Sequence, residues 1–322
     1  MSLPSLTSLF ADWLDDVQSD PWLIVGPLVL TILVAALYVR GMRYEARTGI
    51  GRQVSVFQAL SFFVGMLVLL LAIASPLDTL ADESLAAHMV QHEILVLDVP
   101  PLLLLGTPLW PLWRALPLHW RRGSLRWLLR RHRIMRVAYT AQRVVFRPLG
   151  AWCLFIVIFV GWHIPALYDL ALENEAVHAL EHTMFLGAAL IFWAQVIPSF
   201  PLQPSLTFLR RAGYLFGAAL VLHLLSVLID IAVQPIYSFY GVGPNVVANQ
   251  AAGGAIMDVS GQVVFTTAIL ICLGLWLRDD ERKEALQAEG MPSETQANIS
   301  ARGALLIAEA DLSESSEQAS RK

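Results

Sequence analysis

Apolar residues along this chain come in long blocks, with charged residues collected between them rather than interleaved. The blocks cover residues 21–38, 54–74, a run opening near Ser84, then 148–162, 176–197, 212–233 and 254–277. Most are near the roughly 20 residues that a helix needs to cross a bilayer. The third run holds Pro100-Pro101 and Gly106-Thr107-Pro108, which predict a kinked or broken helix in its lower half. The pattern predicts an all-α integral membrane protein, a bundle of seven transmembrane helices. Residues 1–20 form an extracytoplasmic arm with a partly helical character, residues 21–277 the membrane domain, and residues 278–322 a cytoplasmic, mostly disordered tail with a short helix near residues 302–312.

Composition agrees: 56% of residues are hydrophobic and 15% charged, which excludes an ordinary soluble globular chain. The charges set an orientation. Arg40, Arg43, Arg47 and Arg52 follow the first span, and ten arginines lie between Arg114 and Arg147. The intervening connections carry Asp78, Asp82, Glu83, Asp169, Glu173 and Glu175 instead. The positive-inside rule then places the N-terminus outside and the C-terminus in the cytoplasm. The arginine block is read as a cytoplasmic loop and not as a nucleic-acid site. The acidic N-terminus lacks the basic start of a secretory signal. Cys153 and Cys272 are far apart in apolar surroundings, so neither a disulfide framework nor a thiolate site is expected, and both are read as small buried hydrophobes. No nucleotide-binding fingerprint is present.

Within this frame the histidines stand out. His88 and His92, and again His178 and His182, are spaced i, i+4 and share a helix face. Ionisable residues inside membrane spans are costly and point to function. On the predicted topology His88, His92, His163, His178, His182 and His223 fall towards the outer face, while His119 and His132 lie in the basic loop. Imidazole suits zinc, copper, iron and nickel. Met89, three residues before His92, could add a thioether suited to cuprous copper. Glu181, Asp230, Met257 and Asp258 are candidates for supporting the ligands. The lone histidines could equally bond freed backbone groups or a neighbouring helix.

Two other chemistries fit the same residues. His178-Ala-Leu-Glu181-His182 matches H-x-x-E-H, which would make the protein a seven-helix membrane zinc hydrolase with Glu181 as general base. Paired histidines could also be axial ligands of a haem in a membrane redox protein. Polar residues continuing across the membrane would favour a transporter. Asp98, Gln195 and Asp258 are few for that, so a site open to one face is preferred.

The stretches Ala87-His-Met-Val-Gln-His92, Val99-Pro-Pro-Leu-Leu-Leu-Leu-Gly-Thr-Pro108, Gly161-Trp-His-Ile-Pro-Ala-Leu-Tyr-Asp169, His178-Ala-Leu-Glu-His182 and Phe192-Trp193 together resemble the polytopic bacterial CtaG family, linked to copper-containing haem oxidases. The resemblance implies a cytochrome c oxidase assembly factor of the bacterial plasma membrane, not an enzyme. It further implies copper as the ion, with the oxidase catalytic subunit and a periplasmic copper chaperone as partners in the respiratory chain. His88, His92, His163, His178 and His182 are the matching histidines. Where the family shows Asp-Gln…Gly-Gly…Ile-Met-Trp, this chain has Asn249-Gln250, Gly253-Gly254 and Ile256-Met257-Asp258. Asn249 replaces an acid there, and Asp258 could supply a carboxylate in its place.

Overall fold

A computed structural model describes residues 6–49, 53–121 and 146–288. It is all-helical there: α1 (Leu6–Ser19), α2 (Trp22–Thr48), α3 (Val56–Ile73), α4 (Pro76–Glu83), α5 (Leu85–Glu93), a π-helical turn (Ile94–Asp98), α6 (Val99–Leu105), α7 (Leu109–Ala115), α8 (Pro148–Trp162), α9 (Pro165–Glu173), α10 (Glu175–Trp193), α11 (Phe208–Asp230) and α12 (Pro244–Ala288). Six helical stretches among the described residues are long and apolar enough to cross a bilayer, and α8 with α9, bent by 71°, make a seventh candidate. The chain therefore has the make-up of a multi-pass membrane protein.

Local signals explain the boundaries. Ser55 and Gln58 form a reciprocal capping box at the start of α3. Ser84 caps α5, and Asn174 caps α10 by accepting from the backbone of Ala176 and Val177. Pro148 and Pro165 sit in the first turns of α8 and α9, where a missing N–H costs nothing.

The third span runs as α5, π-turn and α6, and the widening lies just above Pro100-Pro101. Pro100 cannot donate to the carbonyl four residues back, that of Val96, and the indole Nε1 of Trp193 on α10 donates to it instead, at 3.0 Å. Lower down, the Leu102 carbonyl accepts from Ser61 Oγ (2.7 Å) and the Gly106 carbonyl from Tyr38 Oη (2.7 Å). The broken helix is thus held by side chains of its neighbours. Glycines allow close helix contacts: a Cβ on Gly254 of α12 would lie 2.7 Å from the backbone of Asp230 and 2.8 Å from that of Ser226 on α11, and one on Gly41 of α2 would run into the backbone of Pro111 on α7.

The largest boundary differences from the sequence reading fall on α2 and α12. Helix α2 continues ten residues past Tyr38, carrying its arginines in helical register, and α12 starts at Pro244, ten residues before Gly254, and passes Leu277 to reach Ala288. The charged residues that end the apolar block are good helix formers, and Lys283 pairs with Asp279 one turn back (2.5 Å). Most of the basic loop with His132, and the tail beyond residue 288 with its expected short helix, lie outside the described residues. Cys272 is buried as expected, but Cys153 is exposed on α8, since apolar neighbours along a membrane-type helix do not by themselves turn a residue into the bundle.

Candidate metal centre

Helix α5 presents His88 and His92 on one face, and α10 presents His178, Glu181 and His182 on the face opposite. His88 and His92 are 0% and 1% exposed, and Glu181 is 0% exposed. The rings of His88 and His92 lie edge to face, 4.2 Å between centroids, with their Nε2 atoms 2.7 Å apart. His178 and His182 are likewise 4.2 Å apart, His88 stands 5.1 Å from His178, and His92 stands 5.4 Å from His182. One ligand atom from each of His88, His92, Glu181 and His182 falls within 4.8 Å of the others.

His163 joins from the end of α8, its ring 6.0 Å from that of His92. Its Nδ1 lies 2.7 Å from the Phe159 carbonyl, which can only accept, so the proton is on Nδ1 and Nε2 keeps its lone pair. That Nε2 is buried without a hydrogen-bond partner. So are Nδ1 of His92, Nε2 of His178 and His182, and both Glu181 oxygens. The nearest approach to Glu181, His92 Nε2 at 3.7 Å, is too long for a hydrogen bond. Buried polar atoms in proteins are nearly always satisfied, so this concentration of unpartnered ones sets the cluster apart from an ordinary helix interface.

A polar cap closes the cluster at the loop between α11 and α12. Tyr168 packs 5.1 Å from His88 and 4.0 Å from Tyr237. Tyr237 donates to the His163 carbonyl (3.2 Å) and Tyr240 to that of Ala81 (3.0 Å). Asp169 pins the same loop, accepting from the Ser238 backbone and hydroxyl and from the Phe239 backbone. Burial first, then the Asp169 carboxylate, raises the Tyr237 hydroxyl above the ordinary phenol range, so it stays a donor.

The other predicted residues lie elsewhere. His223 and Asp258 bond each other across α11 and α12 (2.6 Å), with side chains 39% and 32% exposed. The structure therefore gathers five of the six histidines expected at the outer face, since His223 turns towards α12. Met89 is 0% exposed and packs against Gly253 of α12, in the apolar core. A residue next to His88 points about 100° away from it on a helix. Met257 is buried in the same core, and Asp230 is exposed at the end of α11. Asn249 caps the histidine helix itself, accepting from the Ala86 backbone (3.2 Å) and donating to Ser84 Oγ (2.9 Å).

Sequence reasoning passed over Gln91, Glu93, Tyr168 and Tyr237. Gln91 is fully buried and donates to the Ala72 carbonyl and to Asp78, and Glu93 is buried against Ser260 (2.7 Å). Gln91 and Tyr168 both stand inside the histidine motifs, which was the available signal. Nothing near Tyr237 offered one.

A family model described as "Cytochrome c oxidase caa3 assembly factor (Caa3_CtaG)" matches residues 36–279. An uncharacterized protein of Mycobacterium leprae is 24% identical over 303 residues, covering 87% of this chain and 41% of its own length. The chain thus spans less than half of that relative. No solved structure matches.

Proposed function

This chain belongs to the cytochrome c oxidase caa3 assembly factor family, and from that premise we propose that it carries copper for the oxidase on its buried histidine cluster. The observation that supports this reading is the convergence of ligand atoms: His88, His92, His182 and Glu181 bring one each within 4.8 Å of the others, His163 and His178 stand beside them, and Nε2 of His163, His178 and His182 and both Glu181 oxygens have no hydrogen-bond partner. Imidazole and carboxylate are borderline to hard donors, and they suit cupric copper better than the thioether-rich sites of cuprous copper.

In this reading the ion is cargo. His88, His92, His178 and His182 hold it, His163 presents a lone pair fixed by its bond to Phe159, and Glu181 offsets charge in a dry setting. With the N-terminus outside, the cluster lies towards the outer face of the plasma membrane. There the ion would arrive from a periplasmic chaperone and leave to the oxidase catalytic subunit. The Tyr237 loop covers the cluster, so exchange requires that loop to shift.

A second reading rests on Glu181, which stands between two histidines as the general base of a zinc hydrolase would. The haem reading has less support, because the paired rings touch each other rather than standing either side of a macrocycle.

The test is the metal content and absorbance of the purified protein, wild type beside His88→Ala/His178→Ala, together with oxidase copper content in cells. Copper in the wild type, absent from the variant and with oxidase copper reduced at least about tenfold, is the expected result. Zinc in its place would favour the hydrolase. Normal oxidase assembly in the variant would overturn the cargo role.

A further inference from the structure

Helix α2 is the least covered of the long spans: only 11% of its apolar window is buried. A cavity of about 710 Å³ runs along it, and its described lining is Ile32, Ala35, Ala36, Val39, Arg40, Arg43, Tyr44 and Arg47. These positions recur every three or four residues and so form one face of the helix. The face changes character along its length. Its first half is apolar, with Ala35 and Ala36 leaving a shallow floor, and its second half carries three exposed arginines.

Depth fits this division. Arg40 lies 16 residues beyond Ile24, about 24 Å along the axis, and the bilayer hydrocarbon is roughly 30 Å thick. The apolar half therefore lies among acyl chains, Arg47 at about 34 Å passes the hydrocarbon edge, and Arg40 and Arg43 reach the headgroup level by extending their long side chains towards it. The one acid on this stretch that could neutralise them is turned away: Glu45 is 1% exposed, on the inner face with Tyr38 and Gly41. No ion pair to Arg40, Arg43 or Arg47 occurs among the described residues. Further positive charge adjoins, since the guanidinium groups of Arg114 and Arg121 each lie 5.6 Å from the Tyr44 ring that borders the cavity.

We propose that this face of α2 is a binding site for an anionic phospholipid, with the phosphate held by Arg40, Arg43 and Arg47 and an acyl chain laid along Ile32, Ala35, Ala36 and Val39. Charge complementarity selects the headgroup, because basic pockets at the ends of membrane helices attract anionic lipid. The apolar continuation separates a lipid from a soluble phosphate, which would use the arginines alone. The site is remote in role from the histidine cluster and does not depend on what that cluster binds.

The experiment uses the full chain in detergent, delipidated and titrated with dioleoyl phosphatidylglycerol, dioleoyl phosphatidylcholine or glycerol 3-phosphate. Native mass spectrometry reads bound lipid, and thermal unfolding reads stabilisation. The expected result is a preference for phosphatidylglycerol over phosphatidylcholine of at least about tenfold, abolished in Arg40→Gln/Arg43→Gln/Arg47→Gln. Ala36→Trp, which fills the floor and keeps the charges, should weaken phosphatidylglycerol while sparing glycerol 3-phosphate. Equal binding of the two lipids, a preference that survives the triple change, or glycerol 3-phosphate competing as well as the lipid would each overturn the site. Metal content should be the same in every variant, which separates this outcome from that of the copper reading.

Discussion

His163 and Glu181 occupy the same cluster by different physical routes. His163 has one ring nitrogen satisfied by its own helix, the Phe159 carbonyl, and one left bare. Glu181 has no satisfied oxygen at all, although it is fully buried. A carboxylate left so costs stability unless something binds it. Replacing it with an apolar residue of similar size should therefore help the empty protein and harm the loaded one. Glu181→Met is expected to stabilise the metal-free form by about 1–3 kcal/mol, read as a raised Tm, and to weaken metal binding about 10–100-fold, read by titration. A lower Tm without metal would mean that Glu181 has a partner inside the protein and is not waiting for an ion.

At the scale of elements, the cluster depends on where α12 and α10 pin the helix that carries His88 and His92. Asn249 of α12 bonds Ser84 and Ala86 at the top of α5, Ser260 bonds Glu93 at its foot, and Trp193 of α10 takes the carbonyl freed by Pro100 below. Asn249, where the family shows an acid, thus has a positioning role that needs no charge. The α11–α12 contact is closer still. Gly254→Leu would drive a side chain into backbone atoms of Ser226 and Asp230, which cannot swing aside. It should cost about 1–3 kcal/mol or prevent folding. Gly261 has nothing within 4 Å of an added Cβ, so Gly261→Ala should stabilise by about 0.5–1 kcal/mol through helix propensity alone. Thermal unfolding of both variants in the same detergent checks the pair, and equal effects would contradict the close packing.

For the whole molecule, the proposed orientation is the step that turns a cluster into an outward-facing one. Single cysteines at Phe239 and Lys283, in a chain with Cys153 and Cys272 replaced by Ala, test it. A membrane-impermeant maleimide should label Phe239→Cys in intact cells and leave Lys283→Cys unlabelled until the membrane is opened. The reverse pattern would put the cluster on the cytoplasmic side and remove the periplasmic route.

The sequence by itself determined the all-helical membrane class, the approximate place of the long apolar helices and the two histidine pairs. These are local properties: hydrophobic length, proline and cap residues, and i, i+4 spacing on a helix that forms whatever it packs against. It could not say which faces meet. His223 and His163 look alike as lone histidines in apolar runs, yet one turns to Asp258 across α11 and α12 and the other enters the cluster. Met89 and His88 are neighbours in the chain and face different helices. Gln91, Glu93 and Tyr237 acquire their roles only from partners between 13 and 167 residues away. Tertiary structure decided these because the rotation of each helix about its axis is fixed by close contacts such as Gly254 against Ser226 and Asp230, and those contacts join residues that lie far apart along the chain.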